Sequence, residues 1–266
     1  MTKAIVFSLQ KGGIAKSTSS GITSFLLSKK GYKILHVDMD SQANSTQMLT
    51  EVDDATETFG ERDILEAIKA QDPRTYIIRV SDGLDILPAT DYLAMLDQFV
   101  FNEYTRKHRQ KPGLALYNTL EKVKESYDYL IIDTPPSLSI LTLNAMFASD
   151  YVVIPTNTEK FSYNAIERFL GTVEEVSQQK KDLIGKDIKV AGILRSLHDK
   201  RRTDNKIFSE MMEESYSHLM FNTVIHRKAA TGRLPIFGLY DNSELKAAIS
   251  EHEKFVEELL NNVQSR

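Results

Sequence analysis

The sequence predicts an α/β fold with a doubly wound, mostly parallel central sheet and helices on both of its faces. A strand, a glycine-containing loop, a helix and a second strand follow one another within residues 3–38, and strands joined in this way pair in parallel. The apolar runs at residues 129–132 and 151–154 are typical of strands buried on both faces. Because 41% of the 266 residues are hydrophobic and no linker is evident, we expect a single domain over residues 1–266.

Composition excludes several classes of site. The chain has no cysteine, so disulfide frameworks, thiolate zinc sites, iron–sulfur clusters and a cysteine nucleophile are excluded. The formal net charge is −4, so binding to nucleic acid would need a local basic patch. The first residues lead into a strand rather than a signal peptide, and no apolar run approaches the roughly 20 residues of a membrane span. We therefore expect a cytoplasmic protein.

The loop at residues 8–18 has the composition of a phosphate-binding loop. Gly12 and Gly13 let the backbone pass close to an anion, which successive N–H groups and the positive end of the following helix can surround. Lys16 is placed to reach the outer phosphates, and the Ser17 hydroxyl is placed to ligate Mg²⁺. The alternative is a strand–helix turn with unrelated lysines, which the position after the first strand and the motifs below disfavour.

This loop departs from the standard pattern G-x-x-x-x-G-K-[ST]. Gln10 and Ala15 stand where the two glycines of the pattern belong. A Cβ atom at position 15 could crowd the phosphates, or it could be harmless if φ is negative there. The sequence leaves this question open.

Two strands end in carboxylates at the edge of the sheet where ligands of open α/β folds bind. The strand at residues 33–38 ends in Asp38, with Asp40 two positions further on, and the strand at residues 129–133 ends in Asp133. Beside a phosphate loop, one acid of the first pair would lie near Mg²⁺ and the other near the attacking water, while Asp133 would hold Mg²⁺ through water. The alternatives are a polar turn in which Asp40 or Ser41 caps the next helix, and a turn between Asp133 and Thr134.

The rest of the chain alternates between predicted helices and strands. The predicted elements are a helix at 64–68, a strand at 84–88, a mainly helical stretch at 91–125, a strand at 151–155, a helix from 163 to about 179, strands at 188–194 and 221–227, and a helix at about 243–262. The basic run at 106–111 is either a solvated face or a contact for DNA or a partner.

The segment at residues 195–206 is the best candidate for an anion-binding patch. Its five basic and two acidic residues give a balance of +3 in a chain of net charge −4. No aromatic residue is interleaved, so we expect contact with phosphates without base stacking or sequence readout. The alternative is an ordinary solvated loop.

These motifs resemble those of the ParA/MinD superfamily of P-loop ATPases, in particular its ParA/Soj-type partition ATPases. Residues 11–17 resemble the deviant Walker A motif K-G-G-x-G-K-[ST], which begins with a "signature" lysine. Residues 38–46 resemble D-x-D-P-Q-x-N-x-[ST], with Ser41 in place of proline, and residues 133–137 resemble D-[TC]-P-P-S. The resemblance covers nearly the whole chain and is weaker after residue 155.

The resemblance implies ATP and Mg²⁺ as cofactors and suggests roles for particular residues. Lys11 would cross to the ATP of a partner subunit in a nucleotide-sandwich homodimer, and Asp40 would position the hydrolytic water. The resemblance implies catalytic roles for Lys11, Lys16 and Asp40, and metal contacts by Ser17, Asp38 and Asp133. It implies nucleotide contacts by Lys11, Gly12, Gly13, Ile14, Ala15, Lys16, Ser17, Thr18, Asn157 and Pro235. It implies DNA contacts by Lys200, Arg201, Arg202 and Arg227.

The function implied by the resemblance is ATP-dependent segregation of plasmid or chromosomal DNA. An ATP-driven dimer would bind nonspecific double-stranded DNA on the nucleoid, and slow Mg²⁺-dependent hydrolysis, stimulated by a ParB-like centromere-binding protein, would release it. One alternative is a MinD-like membrane-surface ATPase, which the acidic polar face of the last helix disfavours. Another is a nucleotide-switch regulator with little hydrolysis, which Ala15 keeps open. The lack of cysteine excludes a metallocluster carrier.

Overall fold

A single sheet of eight strands runs through the residues described by the computed structural model, which are 1–199, 201–234, 238–239 and 249–264. In chain order, β1 to β8 are Lys3–Phe7, Ile34–Asp38, Ile78–Ser81, Leu84–Leu87, Tyr129–Asp133, Tyr151–Thr156, Lys189–His198 and Met220–His226. Their spatial order is β3-β4-β2-β5-β1-β6-β7-β8, and every neighbouring pair except β3 and β4 is parallel. The predicted mostly parallel sheet is confirmed.

Helices cover both faces of this sheet. In the described residues, α1 to α12 are Lys16–Lys29, Asn44–Thr50, Ala55–Phe59, Ile64–Ala70, Leu96–Phe99, Thr105–His108, Ala115–Leu120, Ile140–Phe147, Lys160–Ile184, Thr203–Tyr216, Ala229–Gly232 and Ser250–Gln264. Successive side chains of β1 alternate between two hydrophobic clusters. Ala4 and Val6 belong to the cluster that contains α4 and α7 to α9, whereas Ile5 and Phe7 belong to the cluster of α1 and α12.

The register of the central strands brings three carboxyl ends level with one another. β5 lies between β2 and β1, with Asp133 opposite Phe7 of β1 on one side and opposite Asp38 of β2 on the other. The loop at residues 8–15 leaves the end of β1 at the same level and leads into α1. The predicted phosphate loop and the predicted metal-binding acids are therefore neighbours.

The structure differs from the sequence-based expectations at several elements. β3 was not predicted, because it is a short, partly exposed edge strand without an apolar run. The stretch at 91–125 is divided into short helices around a π-helical turn at Val100–Tyr104. The helix expected at 163–179 extends over Lys160–Ile184, where Gly185, with a φ of 69°, ends it. The predicted start of the last helix near residue 243 lies outside the described residues.

Two helices at the carboxyl edge of the sheet start from alanines in the left-handed backbone region. Ala15 precedes α1 with a φ of 59°, and Ala43 precedes α2 with a φ of 52°. A residue with a Cβ atom is less stable by about 1–2 kcal/mol in this conformation, which glycine adopts freely. The open question about position 15 is thus answered: φ is positive, and Ala15 adds backbone strain to the phosphate loop.

Replacement of Ala15 by glycine is expected to stabilise the protein. Ala15→Gly removes strain of about 1–2 kcal/mol but adds conformational freedom to the unfolded chain, worth about 0.4–1 kcal/mol, so we expect a net gain of roughly 0.5–1 kcal/mol. Urea unfolding at equilibrium measures this change.

The matched control is Ala145→Gly in α8. There the same substitution should destabilise the protein by about 1 kcal/mol or more, because the helix loses a favoured residue and a buried methyl group. Equal losses of stability in the two variants would contradict the strain at Ala15.

Candidate functional site

The candidate site is a cavity of about 320 Å³ at the carboxyl edge of the sheet. Its lining is formed by residues 12–18 of the loop and α1, together with Asp40, Gln42, Asn44, Met48, Thr134 and Pro136. A larger cavity of about 950 Å³ lies at the opposite edge, where β1, β6 and β7 begin. We assign the site to the smaller cavity, since ligands of open α/β sheets bind at the carboxyl ends of strands.

The backbone of the phosphate loop is held from several sides. Gly13 has a φ of 68°, which a side chain would disfavour. The Ile14 side chain is buried, and its carbonyl oxygen accepts a 2.8 Å hydrogen bond from the Ser196 hydroxyl on β7. Sequence reasoning missed Ser196, because nothing in the local pattern of β7 indicates a contact with a loop so distant along the chain.

Lys16 begins α1 and lies over the loop that precedes it. Its Nζ donates a 2.7 Å hydrogen bond to the carbonyl oxygen of Lys11. Burial lowers the pKa of Lys16, and the negative charges of Asp133 and Asp40 raise it. The ammonium group therefore lies among the acids predicted to serve the metal and the water, at the N-terminus of a helix, where phosphate binding is favourable.

Asp133 is a buried carboxylate at the end of β5. Its side chain is fully buried, and neither carboxylate oxygen meets a donor in the described residues at hydrogen-bonding geometry. Burial, followed by repulsion from Asp38, raises the pKa of Asp133, and the nearby Ser17 hydroxyl and Lys16 ammonium lower it. A buried carboxylate in this state is costly unless a cation compensates it. Its oxygens and the Ser17 hydroxyl are the donor type that Mg²⁺ prefers, so these residues fit the predicted metal.

Asp38 mainly organises the turn that follows β2. Its Oδ1 accepts a hydrogen bond from the backbone N–H of Asp40 at 3.0 Å, and its Oδ2 accepts from the N–H and the hydroxyl of Thr46 at 2.9 and 2.8 Å. Burial raises the pKa of Asp38, and these hydrogen bonds lower it. Its predicted role as a metal contact stays a prediction.

Asp40 lines the cavity from the first turn after β2. Its Oδ1 accepts a 3.1 Å hydrogen bond from the backbone N–H of Gln42, and its Oδ2 accepts none from the described residues. The N-cap of α2 is Ala43. Neither Asp40 nor Ser41 therefore caps that helix, as the alternative interpretation would require.

Two predicted nucleotide contacts, Asn157 and Pro235, are not part of the phosphate-loop motif. The Asn157 amide oxygen accepts hydrogen bonds from Lys11 Nζ at 3.3 Å and from the Ser162 hydroxyl. Lys11 Nζ also lies 3.4 Å from Glu159 Oε2, so the signature lysine contacts the loop between β6 and α9 of its own subunit. Pro235 lies outside the described residues, and its contact with the adenine stays a prediction.

Three of the four predicted DNA contacts are described, and they lie near the carboxyl ends of β7 and β8. The pairing of His198 with His226 brings these ends together, and Arg201, Arg202 and Arg227 are exposed there. Lys200 lies outside the described residues. Arg195, which contributed to the charge balance of the segment, does not belong to this surface, because it is buried and pairs with Glu213 at 2.8 Å.

Comparisons with known proteins identify the relatives of the chain. A family model described as "AAA domain" matches residues 2–189. The sporulation initiation inhibitor protein Soj of Bacillus subtilis is 32% identical over 251 residues, which cover 91% of this chain and 92% of that protein.

Solved structures are similar to this chain over its whole length. A cobyrinic acid a,c-diamide synthase from Mycobacterium smegmatis, with bound ATP analog and magnesium, superimposes with a TM-score of 0.80 at 26% identity over 100% of this chain and 97% of that one. A putative plasmid partition protein from Borrelia burgdorferi B31, bound to AMPPNP, gives a TM-score of 0.77 at 25% identity over 100% and 99% of the two chains.

The matched residues of the family model include the phosphate loop and all three carboxylates at the strand ends. The resemblance noted from the motifs is therefore confirmed over nearly the full length of the relatives. We conclude that the chain belongs to the ParA/Soj family of P-loop partition ATPases.

Proposed function

We propose that this protein is an ATP-driven switch for DNA segregation. Mg²⁺-ATP closes a homodimer, the dimer binds nonspecific double-stranded DNA on the nucleoid in the cytoplasm, and slow hydrolysis, stimulated by a ParB-like partner, releases it. The observation that carries the proposal is the fully buried Asp133 carboxylate beside Ser17 and Lys16 at the phosphate loop, whose oxygens have no hydrogen-bond partner of good geometry among the described residues. Mg²⁺ and the phosphates of ATP would compensate this buried charge.

The chain's own residues divide the work of phosphoryl transfer between them. Lys16 and the free N–H groups at the start of α1 would bind the outer phosphates, and Ser17 and Asp133 would hold Mg²⁺. Bound Mg²⁺ supplies charge neutralisation on the phosphates. Asp40 would orient the attacking water, because its carboxylate lines the same cavity and has one oxygen without a described hydrogen bond.

The dimer is inferred from the signature lysine and from the family. Lys11 stands at the start of the loop, and its side chain does not line the cavity. Its Nζ contacts Asn157 and Glu159 at the long distances of 3.3 and 3.4 Å. An ion pair between groups as exposed as Lys11 and Glu159 is weak enough to exchange for the phosphates of a second subunit. ATP would then act as the link between the two subunits.

The membrane-surface alternative is disfavoured by the packing of α12. Its apolar residues Phe255, Val256 and Leu259 are buried in the cluster that α12 shares with α1, so this face is not available to a bilayer. Among the described helices, none combines the length and the apolar character needed to cross a membrane.

Loss of the Asp40 carboxylate should separate ATP binding from hydrolysis, which also tests the alternative of a regulator with little turnover. Asp40→Ala is expected to bind Mg²⁺-ATP like the wild type and to lose about 10²-fold or more in kcat, measured as phosphate release in the presence of DNA. Asp82→Ala, at the exposed turn between β3 and β4, is the control and should keep the wild-type rate. Turnover of Asp40→Ala at the wild-type rate would remove Asp40 from the mechanism.

Reversal of two charges at the ends of β7 and β8 should abolish DNA binding. Arg202→Glu with Arg227→Glu is expected to lose ATP-dependent retention on random-sequence DNA, because two phosphate contacts become repulsive. The control is Arg74→Glu with Arg79→Glu, the same charge change near the opposite edge strand β3. Retention of the first double variant at wild-type strength would show that DNA binds elsewhere.

A further inference from the structure

We propose that Glu159 restrains both Lys11 and Arg202 within one subunit, so that one carboxylate opposes both dimer closure and DNA binding. This inference rests on the proposed function. It assigns a regulatory role to a residue that lies between the nucleotide site and the basic surface and that was not predicted to belong to either.

The carboxylate of Glu159 bridges two cations from distant parts of the chain. Its Oε2 lies 3.4 Å from Lys11 Nζ, at the start of the phosphate loop. Its Oε1 lies 3.5 Å from Arg202 Nη1, just before α10. Each oxygen of one side chain thus faces one cation, and each of these cations has a predicted phosphate partner elsewhere.

The backbone on both sides of the Glu159 side chain is held by hydrogen bonds. The Glu159 N–H donates to the carbonyl oxygen of Asn157 at 3.0 Å, and its own carbonyl oxygen accepts from the N–H groups of Ser162 and Tyr163 at 3.0 Å each. The preceding residue is tied to α10, because Asn205 Nδ2 donates a 2.8 Å hydrogen bond to the carbonyl oxygen of Thr158. The Glu159 loop therefore links α9, the phosphate loop and α10.

Carboxylates of the same subunit partly neutralise the basic surface. Arg201 pairs with Asp199 at 3.1 Å and Arg202 pairs with Glu159, while Arg227 forms no ion pair with the described residues. A DNA phosphate must displace a carboxylate to reach Arg202, and the negative charge of Glu159 also repels the approaching phosphate. The same holds for Lys11 and the phosphates of a partner's ATP.

The exposure of the three groups sets the strength of the restraint. The side chains of Lys11, Glu159 and Arg202 are 20%, 34% and 54% exposed. Ion pairs between groups of this exposure change equilibria by at most about fivefold. A restraint of this size sets a threshold that ATP and DNA together can overcome, and it does not block the switch.

The test is Glu159→Gln, compared with the wild type and with Glu159→Asp. Without nucleotide, Glu159→Gln is expected to increase retention on random-sequence DNA about two- to fivefold. In a titration with ATP, it is expected to lower the ATP concentration for half-maximal dimerisation by a similar factor. Glu159→Asp keeps the charge but is too short to bridge both cations, so it should shift both measurements in the same direction. An effect of net charge alone would leave Glu159→Asp unchanged.

A second background assigns the gain in DNA retention to its cation. In Arg202→Ala, where the exposed Arg201 and Arg227 still offer phosphate contacts, the substitution Glu159→Gln should no longer increase DNA retention. Glu210→Gln, which removes a charge from α10 where Glu210 pairs with Lys206 at 3.9 Å, is the control and should have little effect.

The outcomes separate the two proposals. Suppose that ATP increases retention of the wild type on DNA, but that Glu159→Gln and the wild type are retained equally when neither has nucleotide. The restraint is then wrong, and the proposed function stands. A gain that persists in Arg202→Ala would equally overturn the restraint. If ATP does not increase retention of the wild type at all, the proposed function fails, and the restraint fails with it.

Discussion

The position of β5 between β1 and β2 is the constraint on which the site depends. Parallel pairing on both sides sets Asp133 level with the end of β1, where the phosphate loop begins, and with Asp38 at the end of β2. Because side chains alternate along a strand, a shift of β5 by one residue would turn Asp133 to the other face of the sheet. The apolar residues of β5, buried on both faces, hold this register.

This arrangement brings the buried charges of Asp38, Lys16 and Asp133 together, and hydrogen bonds stabilise some of them more than others. Asp38 is satisfied by the turn at Asp40 and Thr46, and Lys16 is satisfied by the carbonyl oxygen of Lys11. Asp133 has no described hydrogen-bond partner, and burial raises its pKa. Ala15 adds backbone strain beside it. The least favourable features of the edge therefore collect where Mg²⁺ and phosphates would bind, as is common at functional sites.

The fold and the centre of the site could be predicted because their signals are local. Glycines and lysines in a strand–helix turn, and apolar strands that end in acids, are legible in the sequence, and the parallel register then brings them together. Other features depend on tertiary contacts that no pattern shows. Arg195 was counted with an exposed basic segment, but β7 continues to His198 and carries it into a buried pair with Glu213.

The contacts of Lys11 could not be foreseen either, since Asn157 and Glu159 lie more than 140 positions away along the chain. Asn157 was expected to contact the nucleotide on the basis of the family. It accepts a hydrogen bond from the signature lysine, and its contact with the nucleotide stays a prediction. The sequence could not decide whether φ at Ala15 is positive or negative. Only the backbone geometry decides it.

Calorimetric titration of Mg²⁺-ATP into the wild type and into Lys16→Ala tests the central claim most directly. The account predicts saturable binding by the wild type, with one nucleotide per subunit, and a loss of affinity of at least about 100-fold in Lys16→Ala, because a buried charged contact with the phosphates is removed. Equal affinity of the two proteins for Mg²⁺-ATP would contradict the assignment of the phosphate loop, and with it the site described above.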